Sequence, residues 1–181
     1  MTSLAKPKSP MTGWVLVLAL LLLGLINYSI WQHERTLSQG QTVILELAPV
    51  DPRSLMQGDY MALRFALAEQ IAAQQRAEPL AQQVAHTSLA TLALDQQQLA
   101  TLVSLEATQP LADNQVRVQY RQRNGQIQFA TNAFFFQEGT ASIYEQAKYG
   151  LFKVNAKGEM LLARMLDAQL QPLGVNRLLQ D

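Results

Sequence analysis

Four carboxylates are the side chains with most chemistry to offer. Asp51, Asp59, Glu138 and Glu145 all lie in polar, turn-rich stretches. Brought together, they could hold a hard cation through oxygen or work as an acid/base pair. The local alternative is simpler and is preferred: Asp59 hydrogen-bonds back into its own turn and Asp51 pairs with Arg53. His33 and His86 are the two histidines, and cysteine is absent. That composition removes thiolate nucleophiles and disulfides and argues against a His/Cys metal site. No Gly-rich phosphate loop follows a strand, and no Gly-x-Ser-x-Gly elbow is present. The expectation is a non-catalytic protein with no metal and no cofactor.

The elements around these residues say more. The chain has 181 residues, with 14 basic and 14 acidic side chains in balance. A neutral chain carries no electrostatic footprint for nucleic acid, which is excluded as a partner. From Gly13 to Trp31 there is no charged residue. As a helix this run is roughly 28 Å long, close to the ~30 Å hydrocarbon thickness of a bilayer. Trp14 at one end, with Tyr28 and Trp31 at the other, places amphipathic rings at both interfaces. The exit lacks a small-x-small cleavage signature, so an uncleaved anchor is expected rather than a signal peptide. Lys6 and Lys8 precede the span, whereas Glu34 and Arg35 cancel after it. The positive-inside bias puts the N-terminus in the cytoplasm and the rest of the chain outside the inner membrane, in the periplasm of a Gram-negative bacterium. The division expected is a cytoplasmic tail over 1–12, an anchor over 13–31, a connector over 32–41, an extracytoplasmic domain over 42–166 and a tail over 167–181.

The domain reads as α+β and mostly antiparallel β, barrel or sandwich-like, with two short helices. Thr42 to Val50 is aliphatic and β-branched, a buried strand. Pro52, Gly58 and Asp59 shape a corner over residues 51–65 that feeds a strand from Tyr60 to Leu67. The period changes from Phe65 to Ala77, where Leu67 and Ile71 face inward and Glu69 and Arg76 outward on a helix. Leu89–Leu94 and Leu99–Leu105 flank Asp95–Gln98 as a hairpin. In Gln115–Arg123, Val116, Val118 and Tyr120 alternate with Arg117, Gln119 and Arg121, and Asn124-Gly125 turns the chain back through Ile127 and Phe129. Three successive phenylalanines, Phe134 to Phe136, must point to both faces of a strand, so at least one finds cover outside the core or marks a contact surface. Ser142 and Glu145 have capping-box spacing in a helix over 140–149 that Gly150 would stop. Leu151–Val154 and Glu159–Met165 form a last hairpin.

Gly58-Asp59-Tyr60, followed by Leu63 and an aromatic two residues later, resembles the signature of the GDYxxLxY family of bacterial membrane-anchored proteins. Asp51-Pro52-Arg53, the Arg123-Asn124-Gly125 turn, Phe134 to Gly139 and Tyr144 to Gly150 extend the resemblance from about Thr42 to Met165. Phe65 stands where the family name has Tyr, so a role for that hydroxyl is lost while the ring can still pack. The resemblance implies a single-spanning protein with an extracytoplasmic domain. Its signature positions here are Asp51, Pro52, Arg53, Gly58, Asp59, Tyr60, Leu63, Phe65, Phe135, Glu138, Gly139, Tyr144, Tyr149 and Gly150. Relatives are often encoded beside multi-spanning membrane proteins, which makes such a protein the expected partner, with the lipid bilayer contacting residues 13–31. A small-molecule or cation-binding envelope domain is the alternative. A fainter resemblance, of Ser54 to Asp59 to the Pro-Thr-Leu-x-x-Gly-Asp stretch of signal-peptidase-like serine proteases, fails because Val50 occupies the position of the nucleophilic serine.

Overall fold

Pro10–Gln39 form one helix, α1, about 45 Å long at 1.5 Å per residue. In this computed structural model the described residues are 10–48, 60–77, 87–105, 110–123 and 126–174. Every residue from Gly13 to Trp31 is exposed, including the large aliphatics. The helix is long and apolar enough to cross a membrane. It does not stop where its charge-free stretch stops. The expected connector over 32–41 is helical as far as Gln39, because no breaker precedes Gly40 and the polar side chains bond one turn away. Arg35 Nε donates to Gln39 Oε1 at 3.2 Å, and the Arg35 guanidinium lies 5.5 Å from the Trp31 ring centroid. Thr36 is buried, and Gly40 donates its N–H to the Thr36 carbonyl at 2.9 Å before β1 begins at Gln41. One residue therefore separates helix from sheet.

Antiparallel β1 (Gln41–Glu46), β8 (Tyr149–Val154), β9 (Met160–Leu166) and β10 (Pro172–Leu173) form one sheet in the order β1-β8-β9-β10. A second sheet has the order β4-β3-β5-β6, from β3 (Thr87–Leu94), β4 (Ala100–Ser104), β5 (Gln115–Arg123) and β6 (Gln126–Gln128). A ribbon of β2 (Tyr60–Ala62) and β7 (Ala133–Phe135) is the third. Helix α2 is Ala66–Ala77 and α3 is the single turn Ala141–Tyr144. Curled sheets of this kind make a half-barrel, which answers the choice between barrel and sandwich. Register shifts at Thr91/Leu92 and Leu151/Phe152 fit that curl, since a bulge bends its strand. Backbone bonds tie strands of each sheet to a loop of the other: Ile44 N–H to Gln98 O at 2.8 Å and Gln119 N–H to Gly158 O at 2.8 Å.

The inward residues of these elements meet in one core. Val43 and Leu45 from β1, Val116, Val118 and Tyr120 from β5, and Phe152 and Val154 from β8 all belong to it. Helix α2 adds Leu67 and Ile71, as its pattern predicts, and Gln75 Nε2 donates to Tyr120 Oη at 3.3 Å. At the centre Phe65 packs edge-on to Phe129 at 5.7 Å and Phe152 at 5.6 Å.

Some expectations need correction. The strand expected to Leu67 ends at Ala62, with only a bridge between Phe65 and Leu47 before α2 starts. The helix expected over 140–149 is one turn, because Thr140 Oγ1 donates to the Gln137 carbonyl at 2.6 Å and makes no side-chain cap. Tyr149 and Gly150 then enter β8, so Gly150 is no helix stop; it pairs with Met165. The segment after Asp167 is also ordered onto the sheet through β10, with Leu173 against the core.

Three corners use one device. Asp95, Asn155 and Asp167 each accept, through Oδ1, the N–H groups two and four residues ahead, at 2.8 to 3.0 Å. The residue three ahead has positive φ in each: Gln98 at 65°, Gly158 at 83° and Leu170 at 60°. A Cβ at Gly158 would also lie 3.0 Å from the Arg117 carbonyl oxygen. Gly158→Ala should therefore lose about 1–2 kcal/mol from the left-handed backbone alone, and more from the contact. Thermal unfolding of the detergent-solubilised chain reads this directly, and an unchanged midpoint would show that the corner relaxes freely.

Candidate functional site

The signature residues divide into two groups. Leu63 and Phe65 are buried, and their contribution is packing. Phe65 packs on the Phe129 and Phe152 rings, a role that needs no hydroxyl. Tyr60 stands at the start of β2, directly opposite Phe135 on β7. Their ring centroids are 5.8 Å apart, and both are exposed, Tyr60 by 39% and Phe135 by 75%. Strand alternation then puts Phe134 and Phe136 on the opposite face, where both are partly buried against the core. Tyr144 lies 4.9 Å from Phe134 and 5.4 Å from Phe136, centroid to centroid, so α3 caps the underside of the ribbon. Gly174 is flush against the Tyr144 hydroxyl, leaving no room for a Cβ. The result is an exposed two-ring ridge on a supported aromatic base.

The other described signature positions do not join that ridge. Glu138 and Gly139 form an exposed turn after β7, with Gly139 at φ 82°. Tyr149 and Gly150 are strand residues of β8, and the Cβ position of Gly150 is filled by the Phe152 ring, 2.9 Å away. Asp51, Pro52, Arg53, Gly58 and Asp59 lie outside the described residues, as do His86 and the Asn124-Gly125 turn. Of the four carboxylates, Glu138 and Glu145 are exposed, and no group of three or more metal-ligating side chains occurs among the described residues.

A second feature had no single sequence signal. A cleft of about 540 Å³ opens between the last turns of α1 and the strands β5, β6 and β9. Gln32, His33 and Thr36 line it from the helix, Arg121, Gln128 and Glu159 line it from the strands and the turn before β9, and the buried Phe129 and Met160 also contribute. His33 Nδ1 lies 2.7 Å from the Ser29 carbonyl, which assigns the proton to Nδ1 and leaves Nε2 as the remaining polar ring atom. Asn155 Nδ2 donates to Glu159 Oε2 at 2.7 Å, and Gln119 Nε2 to the Lys157 carbonyl at 2.8 Å, so part of the rim is fixed. The polar alternate residues of β5 were the available hint.

Comparison with known proteins finds a family match. The family model described as GDYXXLXY protein covers residues 22–165, from within the apolar part of α1 to Met165 in β9. No curated protein and no solved structure matches.

Proposed function

We propose that this chain, which belongs to the GDYXXLXY family, is a membrane-anchored accessory protein whose extracytoplasmic domain docks on a multi-spanning membrane partner. The observation that carries this reading is the exposed Tyr60–Phe135 ridge. Large aromatics standing on rigid support are the residues that dominate protein interfaces, because they bring area at low entropic cost. The span over Gly13–Trp31 fits the hydrocarbon core, and its fully exposed apolar side chains call for lipid around them. Lys6 and Lys8 ahead of the span favour a cytoplasmic N-terminus and a domain outside the inner membrane. With only Gly40 between α1 and β1, the domain is held at the membrane surface, where a modest contact with another membrane protein is strengthened by the tether.

The test is co-purification with the native anchor intact. Membranes are cross-linked, solubilised in mild detergent, and wild type is compared with Tyr60→Ala and Phe135→Asp. Capture of one multi-spanning protein by wild type, and its loss from both variants, supports the reading; equal capture by all three contradicts it. The envelope-binding alternative has the cleft beside His33 in its favour.

A further inference from the structure

We infer that the cleft at the end of α1 binds a phosphoethanolamine group, the chemistry shared by a phosphatidylethanolamine headgroup and soluble glycerophosphoethanolamine. The inference rests on the membrane-span reading and adds a ligand to it. Trp31 ends the apolar stretch, and the lining residues Gln32, His33 and Thr36 follow within five positions. Five residues of helix rise about 7.5 Å, which matches the roughly 5–7 Å depth of the headgroup layer beyond the hydrocarbon on each side. The cleft is therefore at the level where headgroups lie.

Its charges are balanced. Arg121 supplies a cation and Glu159 an anion to a lining that also includes the His33 imidazole. A lone anion would meet the Glu159 carboxylate as well as the guanidinium, and a lone cation the reverse. A zwitterion with phosphate and primary ammonium satisfies both. The Arg121 guanidinium donates to phosphate oxygens, with Gln128 and Asn132 of the same lining as neutral partners. Glu159 accepts N–H from the ammonium through lone pairs that Asn155 leaves open. A quaternary choline has no N–H to give, so Glu159 is the group that would separate ethanolamine from choline.

The test uses the full chain in mild-detergent micelles with equimolar phosphatidylethanolamine, phosphatidylcholine and phosphatidylglycerol, read by native mass spectrometry. Wild type should retain phosphatidylethanolamine preferentially. Arg121→Gln should cut that adduct about tenfold, as expected for losing a charge-assisted bond. Glu159→Gln should leave ethanolamine and choline lipids bound equally. Both residues are exposed, so the variants should keep the wild-type thermal midpoint. Added glycerophosphoethanolamine that displaces the lipid at comparable concentration would assign the soluble source; failure to displace would assign the bilayer. Equal adducts of all three lipids in wild type, or an unchanged adduct in Arg121→Gln, overturns the inference. Alkaline carbonate extraction from vesicles separates the two readings. A chain washed off the membrane defeats both, whereas a retained chain with unselective adducts defeats the cleft alone.

Discussion

Phe152→Ala should destabilise the domain by about 3–5 kcal/mol, the range for emptying a fully buried aromatic site. Phe152 is completely buried, touches Phe65 edge-on, and sits at the bulge where β8 curls into the half-barrel. The ring also fills the space that Gly150 leaves by lacking a Cβ, so a cavity there cannot be closed by a neighbouring side chain without moving the strand. Domains of this size are stable by only about 5–15 kcal/mol, so the loss is a large share of the total. The thermal midpoint should fall by more than about 10 °C. Phe135→Ala is the control: its ring is exposed, and removing it should change stability by no more than about 0.5 kcal/mol. A small shift for Phe152→Ala would mean that the core is not centred on the Phe65–Phe129–Phe152 cluster.

The second large effect is expected in binding rather than folding. Phe135→Asp places a carboxylate at the top of the ridge, where a docked partner would have to bury it beside the Tyr60 ring. Hot-spot aromatics cost 2 kcal/mol or more when truncated, and a buried unpaired charge adds to that, so capture of the partner should drop by more than about tenfold. The thermal midpoint should stay at the wild-type value, because the substituted side chain faces solvent in the isolated chain. Coupled loss of capture and of stability would instead make the ridge a structural element, with Phe135 acting through the fold.

Particular residues explain what could be read in advance. The long N-terminal helix was legible because Gly13 to Trp31 is an unbroken apolar run. Strand β5 was legible because Val116, Val118 and Tyr120 alternate with polar residues facing out. The loops at Asp95 and Asn155 fell where turn chemistry placed them, whereas the third copy at Asp167 was hidden by Leu170, a residue that rarely adopts positive φ. The end of α1 was misread because Gln32, Glu34, Arg35 and Gln39 look like a linker by polarity, yet all are sound helix formers. Helix 140–149 was overextended because capping-box spacing is local, while the pairing of Tyr149 with Leu166 is not. The Phe134–Phe136 triplet announced that one ring must face away from the core, but only the pairing with β2 shows that Tyr60 stands beside it. The cleft joins residues of α1, the β5–β6 hairpin and β9, three stretches far apart in sequence, a convergence that no spacing rule encodes.

Site-specific photo-cross-linking in native membranes tests the docking claim most directly. A photoreactive residue at position 135 is compared with one at position 103, where Val103 is 49% exposed on β4. The proposed function predicts a discrete adduct between position 135 and one multi-spanning membrane protein, and none from position 103. Adducts of equal yield from both positions, or from neither, would contradict it.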